Sequence, residues 1–136
     1  MNDKTKAYMM KVKKELVEAL ENAFPNLPIY EDEVPDDETQ KYDDNPYHLL
    51  VYSMGDFTKG ENTSNSLTQS ITIIYYSENR DDFDETIIDI LGVAVNVKSI
   101  TFSDCTKARA RHADTNRFVD IANIELNRVV KLEYQI

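Results

Sequence analysis

Between Leu67 and Val97 two strong periodicities adjoin, an alternating run and an amphipathic, acid-headed segment. Leu67, Ile71, Ile73 and Tyr75 share one parity, interrupted only by Gln69, while Thr68, Ser70 and Thr72 take the other. That period of two predicts a half-buried strand. From Ile74 onward both parities turn apolar, as in a strand covered on both faces. Ser77, Glu78, Asn79 and Arg80 predict a turn. Asp81, Asp82, Asp84 and Glu85 crowd the first turn of the next segment, where carboxylates oppose the helix dipole and can cap free N–H groups. Phe83, Ile87, Leu91 and Ala94 recur at helical spacing and form the stripe expected to lie on the sheet. Gly92 either ends this helix, leaving 93–97 extended, or lies inside one reaching about Asn96; the longer helix is the expectation.

Residues 1–7 are expected to fray. From Tyr8, the set Met9, Val12, Leu16, Leu20 and Ala23 forms a second helical stripe, with Lys11, Lys13, Lys14, Glu15, Glu18 and Glu21 around the remainder. Mixed charge on that polar side favours core packing over membrane binding. Lys14 and Glu18 are spaced for an i,i+4 pair. Phe24 and Pro25 end the helix, and a short edge strand is expected from Ile29 to Val34. Asp36 to Asn45 carries five acidic residues and one lysine and reads as a solvated, mobile loop, since it has neither the glycine nor the ligand register of a calcium loop. Tyr47 to Met54 predicts a central strand in which His48 is a packed or rim side chain. Ser53 to Ser66, with Gly55 and Gly60, reads as a long hairpin loop whose tip residues, Phe57 and Lys59 among them, are a natural contact surface.

Ile100 and Phe102 open another strand that leads through Asp104, Cys105 and Thr106 to Lys107, Arg109 and Arg111. Extended, these three cations project from one face, with Ala108 and Ala110 opposite. Asp114 to Asn116 is turn-like. Beyond Phe118 the even positions Ala122, Ile124, Leu126, Val130, Leu132 and Tyr134 are apolar, so the segment is extended. Its seventeen residues to Tyr134 would span roughly 55 Å, so it must bend, carry a bulge or run past its own domain.

At 136 residues the chain fits a single domain over 1–136. The pattern predicts an α+β fold, two helices packed on one face of a mostly antiparallel four- to five-stranded sheet. With 25 acidic and 15 basic residues the net charge is −10, which disfavours long-range attraction to nucleic acid or an anionic membrane. One cysteine, Cys105, makes no internal disulfide and suits a reducing cytoplasm. The first residues contain no apolar signal core, and no apolar run approaches ~18 residues, so a soluble intracellular chain is expected. There is no glycine-rich phosphate cradle, no Cys or His pair at metal spacing and no Gly-x-Ser-x-Gly elbow. Cys105 and His112, seven residues apart along an extended run, face opposite sides. No catalytic, cofactor or metal residue is therefore assigned, and a non-enzymatic role is expected.

The helix ending at Phe24-Pro25-Asn26, the short strand Ile29-Tyr30-Glu31-Asp32-Glu33-Val34-Pro35, the central strand, the long loop, the aromatic-ended strand Ile73-Ile74-Tyr75-Tyr76 and the acid-headed helix occur in an order that resembles the tail-terminator, or tail-completion, proteins of long-tailed bacteriophages. The resemblance covers about residues 8–95, and Phe118 to Tyr134 is similar to the closing strand of that family only loosely. Members often carry a glycine soon after the Val-Pro position, where this chain has Asp36, Asp37 and Glu38. The resemblance implies a homo-oligomer, commonly a hexameric ring, that caps the tail tube protein, presents a surface to head-completion proteins and lets DNA slide through its lumen without specific binding. It implies a location in the virion tail, and in the host cytoplasm during assembly. The interface candidates are Lys107, Arg109 and Arg111 facing Glu31 and Glu33 of an adjacent copy, Phe57 and Lys59 at the hairpin tip, and Val130, Leu132 and Tyr134 at the end of the last strand, expected to reach a neighbour.

Overall fold

A computed structural model describes residues 1–60 and 64–133. Helix α1 (Asp3–Ala23) leads into strand β1 (Ile29–Glu31), two single-turn helices α2 (Asp36–Thr39) and α3 (Lys41–Asp44), and the hairpin of β2 (His48–Lys59) and β3 (Ser66–Ser77). Helix α4 (Phe83–Val95) then precedes β4 (Ile100–Arg111) and β5 (Phe118–Lys131). The five strands form one mixed sheet in the order β1-β2-β3-β5-β4. Only β1 and β2 run parallel; every other neighbouring pair is antiparallel. The fold class expected from the hydrophobic pattern is the one found.

Both long helices lie on one face of the sheet. Val12, Leu16 and Leu20 of α1 and Ile87, Ile90 and Ala94 of α4 share a core with Leu50, Ile71, Ile73, Tyr75, Ala122, Ile124 and Leu126. All seven of these sheet residues are 0 % exposed, so α1 and α4 close this face completely at its centre. Helix α4 runs through Gly92 to Val95, as the longer reading expected, and Ile90 rather than Leu91 forms the deepest point of its stripe. Its acidic head works differently from expectation. Asp82 makes no side-chain cap and is instead gripped by Arg80 through two hydrogen bonds of 2.9 Å, while Asp84 reaches across to β4.

Among the described residues the opposite face is covered towards β1, where Tyr42, Leu49 and Val51 form a second, smaller core with Tyr30, Tyr47 and Tyr76. The acidic stretch from Asp36 to Asn45 is thus not a free loop. It folds into α2 and α3 because Tyr42 has an aromatic seat, stacked on Tyr47 with ring centroids 5.0 Å apart.

Three further expectations are corrected. Residues 3–7 belong to α1: the Glu133 carboxylate accepts the amide of Lys4 at 2.6 Å and that of Thr5 at 3.4 Å, and the Thr5 hydroxyl donates to the Lys131 carbonyl. A carboxylate from the far end of the chain thus satisfies orphan donors at the helix start. The long loop from Ser53 is strand as far as Lys59; a bulge between Met54 and Phe57 absorbs Gly55 and Asp56 and resets the register so that Phe57 opposes Gln69. Gly60 closes the ladder by donating to Ser66, so near that a Cβ there would lie 2.8 Å from the Ser66 carbonyl oxygen. The part of that stretch over 61–63 lies outside the described residues. Finally, β5 is an interior strand over most of its length, paired with β3 from Asp120 to Lys131 and with β4 from Phe118 to Arg128; among the described residues only 129–131 run past β4, and the expected overhang over 134–136 lies outside the described residues. Its 14 residues are matched by two long neighbours of 12 residues each.

Candidate functional site

The residues of β4 itself are basic on balance, three cations against Asp104, although the acids Asp81, Asp84, Glu85 and Asp120 lie beside them, whereas the segment around β1 is acidic. Strand β4 lies at one end of the strand order, and of its residues only Ile100 and Cys105 are shielded. Register places Lys107 opposite Ala122, Arg109 opposite Asp120 and Arg111 opposite Phe118, so the three cations share the helix-side face, as alternation predicts. They are partly met within the chain. Lys107 donates to Asp84 at 3.0 Å, and Arg109 lies 3.6 Å from the Asp120 carboxylate. The guanidinium groups of Arg109 and Arg111 sit 5.1 and 5.4 Å from the centre of the exposed Phe118 ring, a spacing at which cation–π attraction holds both over its face. Lys107, Arg109 and Asp120 wall an open cleft of about 500 Å³ with Phe83, Asp84 and Glu85 of α4. The bulge between Phe102 and Asp104, together with the charges, protects an edge whose outer backbone groups face no strand among the described residues.

The other edge is β1. Asp32 donates to the Tyr52 carbonyl and takes a left-handed conformation, φ 67°, which ends the strand after three residues. Glu31 pairs with Lys13 of α1 and holds that lysine's pKa above its ordinary value. Glu33 is exposed, and Asp36, Asp37 and Glu38 follow in the first turn of α2. Lys41 is tied to Glu38 at 2.6 Å and lies over the Tyr30 and Tyr42 rings, which raises its pKa well above the usual lysine range. This edge is therefore acidic on balance, and three strands separate it from β4.

The remaining candidates scatter. Phe57 (47 % exposed) and Lys59 stand at the hairpin end, as a contact role requires. Val130 is 1 % exposed and belongs to the interior, paired with Leu67 of β3 although β4 no longer flanks it; its side chain is not available to a neighbour. Leu132 is half-buried, its amide donating to Asn65, and Tyr134 lies outside the described residues.

A cluster that sequence reasoning did not find ties three loops together at one end of the sheet. Glu78, 4 % exposed, accepts both arms of the Arg117 guanidinium at 2.8 and 2.7 Å and the Tyr47 amide at 3.0 Å. Arg117 also donates to the carbonyls of Asp43 and Asn45. The Arg117 hydrogen bonds hold the Glu78 carboxyl below its ordinary pKa. His112 joins through its Nδ1, 3.0 Å from the Tyr47 hydroxyl. His48 is a rim side chain: its Nδ1 meets the Tyr75 hydroxyl at 3.2 Å, and burial pushes its pKa down. Cys105 is half-buried on β4, its thiol pKa raised by burial, while His112 is engaged with Tyr47. Among the described residues no group of three His, Cys, Asp or Glu side chains is placed to hold a metal, and no helix is long and apolar enough to cross a membrane.

No protein-family model matches the chain, and no curated protein matches it in sequence.

Proposed function

We propose that this chain is an assembly subunit of the phage tail-terminator kind, which joins copies of itself edge to edge into a closed ring that caps a tail tube and offers a surface to head-completion proteins. The supporting observation is the placement of Lys107, Arg109 and Arg111 on one edge of the sheet and Glu31, Glu33 and the α2 acids at the other. Two unlike edges on opposite sides of one subunit suit a head-to-tail contact, the type that closes into rings. Each copy carries −10, and a cationic edge laid on an acidic one offsets that repulsion where copies meet. Exposed pairs contribute only ~0–1 kcal/mol each, but a ring repeats every pair at every interface.

The direct test is electron microscopy of tail tubes assembled with and without this chain. Capped tubes of uniform length are expected with it and tubes of uncontrolled length without it; chain found nowhere on tube ends would overturn the reading.

A further inference from the structure

Half of the ten lysines of this chain are spent on its own acids. Lys11, Lys13, Lys14, Lys41 and Lys107 each pair with a carboxylate. Among the described residues Lys4, Lys6, Lys59, Lys98 and Lys131 have no ion-pair partner. Three of these, Lys4, Lys98 and Lys131, converge on one groove of about 640 Å³. They come from the first turn of α1, the α4–β4 turn and the end of β5, segments far apart in sequence. In a chain of net charge −10, the gathering of unpaired lysines at one concave site marks it for an anionic partner.

The groove is more than a patch of charge. Its wall includes Val129, 44 % exposed, and the half-buried Leu132. Tyr8 and Ser99 close one side through a hydrogen bond between their hydroxyls, and Ser99 holds a left-handed backbone, φ 73°. The lone acid in the wall, Glu133, is turned to the α1 amides. The groove also opens where β4 has not yet begun: β4 starts at Ile100 opposite Arg128, so from Val129 onward β5 has no strand on that side among the described residues.

We propose that this groove binds a short, extended, acidic protein segment carrying one apolar anchor side chain. The lysines receive its carboxylates, the anchor enters between Val129 and Leu132, and the segment runs beside the uncovered end of β5. A long polyanion meets the field of the whole acidic chain, whereas a short segment meets chiefly the three nearby lysines within a Debye length. The proposal stands apart from the ring reading, whose residues lie along β4 and β1.

The test is amide NMR of the full chain at low salt, titrated with a peptide of alternating Asp and Glu around one Phe. Its Asn/Gln analogue, a short single-stranded oligonucleotide and anionic phospholipid vesicles serve as competing probes. Saturable shifts at Lys4, Tyr8, Ser99, Val129 and Lys131 are expected with the acidic peptide alone. Lys98→Glu with Lys131→Glu should weaken its binding by about tenfold while the remaining amide spectrum stays native, and Arg109→Glu with Arg111→Glu should leave it unchanged. Absence of saturable shifts, shifts centred on Lys107 to Arg111, equal binding of the neutral analogue, or tighter binding of the oligonucleotide or vesicles would each overturn the proposal.

Discussion

Arg128 is 4 % exposed and has no carboxylate partner among the described residues; its guanidinium donates to the Gln69 side chain at 2.9 Å and to the Met9 carbonyl at 3.0 Å. Gln69 in turn donates to the carbonyl of Gly55 in the β2 bulge. One polar chain thus joins α1, β5, β3 and β2, and it explains the single break in the apolar parity of β3. Burial pushes the Arg128 pKa below the ordinary arginine value, the mark of a charge kept by hydrogen bonds rather than by an ion partner. Gln69→Leu strands these buried groups and should cost about 1–3 kcal/mol. Adding Arg128→Met should recover much of that loss, because removing both partners costs less than orphaning one. Urea denaturation of the single and double variants checks it, and strictly additive losses would contradict it. Glu78 supplies a pH dependence with a definite sign. Its folded pKa lies below the ordinary carboxylate value because Arg117 favours the charged form, so the stabilisation is present above the unfolded pKa and disappears as pH falls through the folded one. Thermal melts from neutral to acid pH should show a steeper loss for the wild type than for Glu78→Gln; parallel curves would contradict the tie.

At the scale of elements, α1 is held at its start by the far end of β5, so the two termini of the fold stabilise each other. Glu133→Ala should cost about 1 kcal/mol, the usual worth of an N-terminal cap, and should speed hydrogen exchange at the Lys4 and Thr5 amides while the amides of Leu16 and Leu20 keep their protection. Unchanged exchange at Lys4 would contradict the clamp. The alternation of β3 and the stripes of α1 and α4 were legible from the chain because local periodicity alone decides them. The start of α1 was not, because its stabilising carboxylate lies 129 residues away. The bulge at Gly55 and Asp56 broke the alternation and made the strand continuation to Lys59 look like loop. The single-turn helices α2 and α3 were hidden by their acids, since only the stacking of Tyr42 on Tyr47, a tertiary contact, gives them a buried side. Of the interface candidates, the parity of Lys107, Arg109 and Arg111 followed from extended structure, whereas the burial of Val130, paired with Leu67 of β3, depends on tertiary packing that no local pattern reveals.

For the whole molecule, the helices close one face, the second core covers part of the other, and the sheet ends at a cationic edge and an acidic one. The Arg117–Glu78 cluster fixes the loops at one end, the Glu133 clamp fixes the other, and the outer backbone of the edge strands faces solvent among the described residues. The intramolecular partners of the cations, Asp84 and Asp120, temper the charge on β4 but leave Arg111 without an ion pair among the described residues. The proposed ring makes a reciprocal demand on the two edges that a simple charge effect does not. Native mass spectrometry across a salt series, applied to a charge swap, measures it. The wild type should form closed oligomers that weaken as salt rises. Arg109→Glu with Arg111→Glu should yield folded monomers, as should Glu33→Lys with Asp37→Lys, and the chain carrying all four changes should assemble again. Closed oligomers from either double variant, or monomers from the fourfold one despite a native fold, would contradict the edge-to-edge ring.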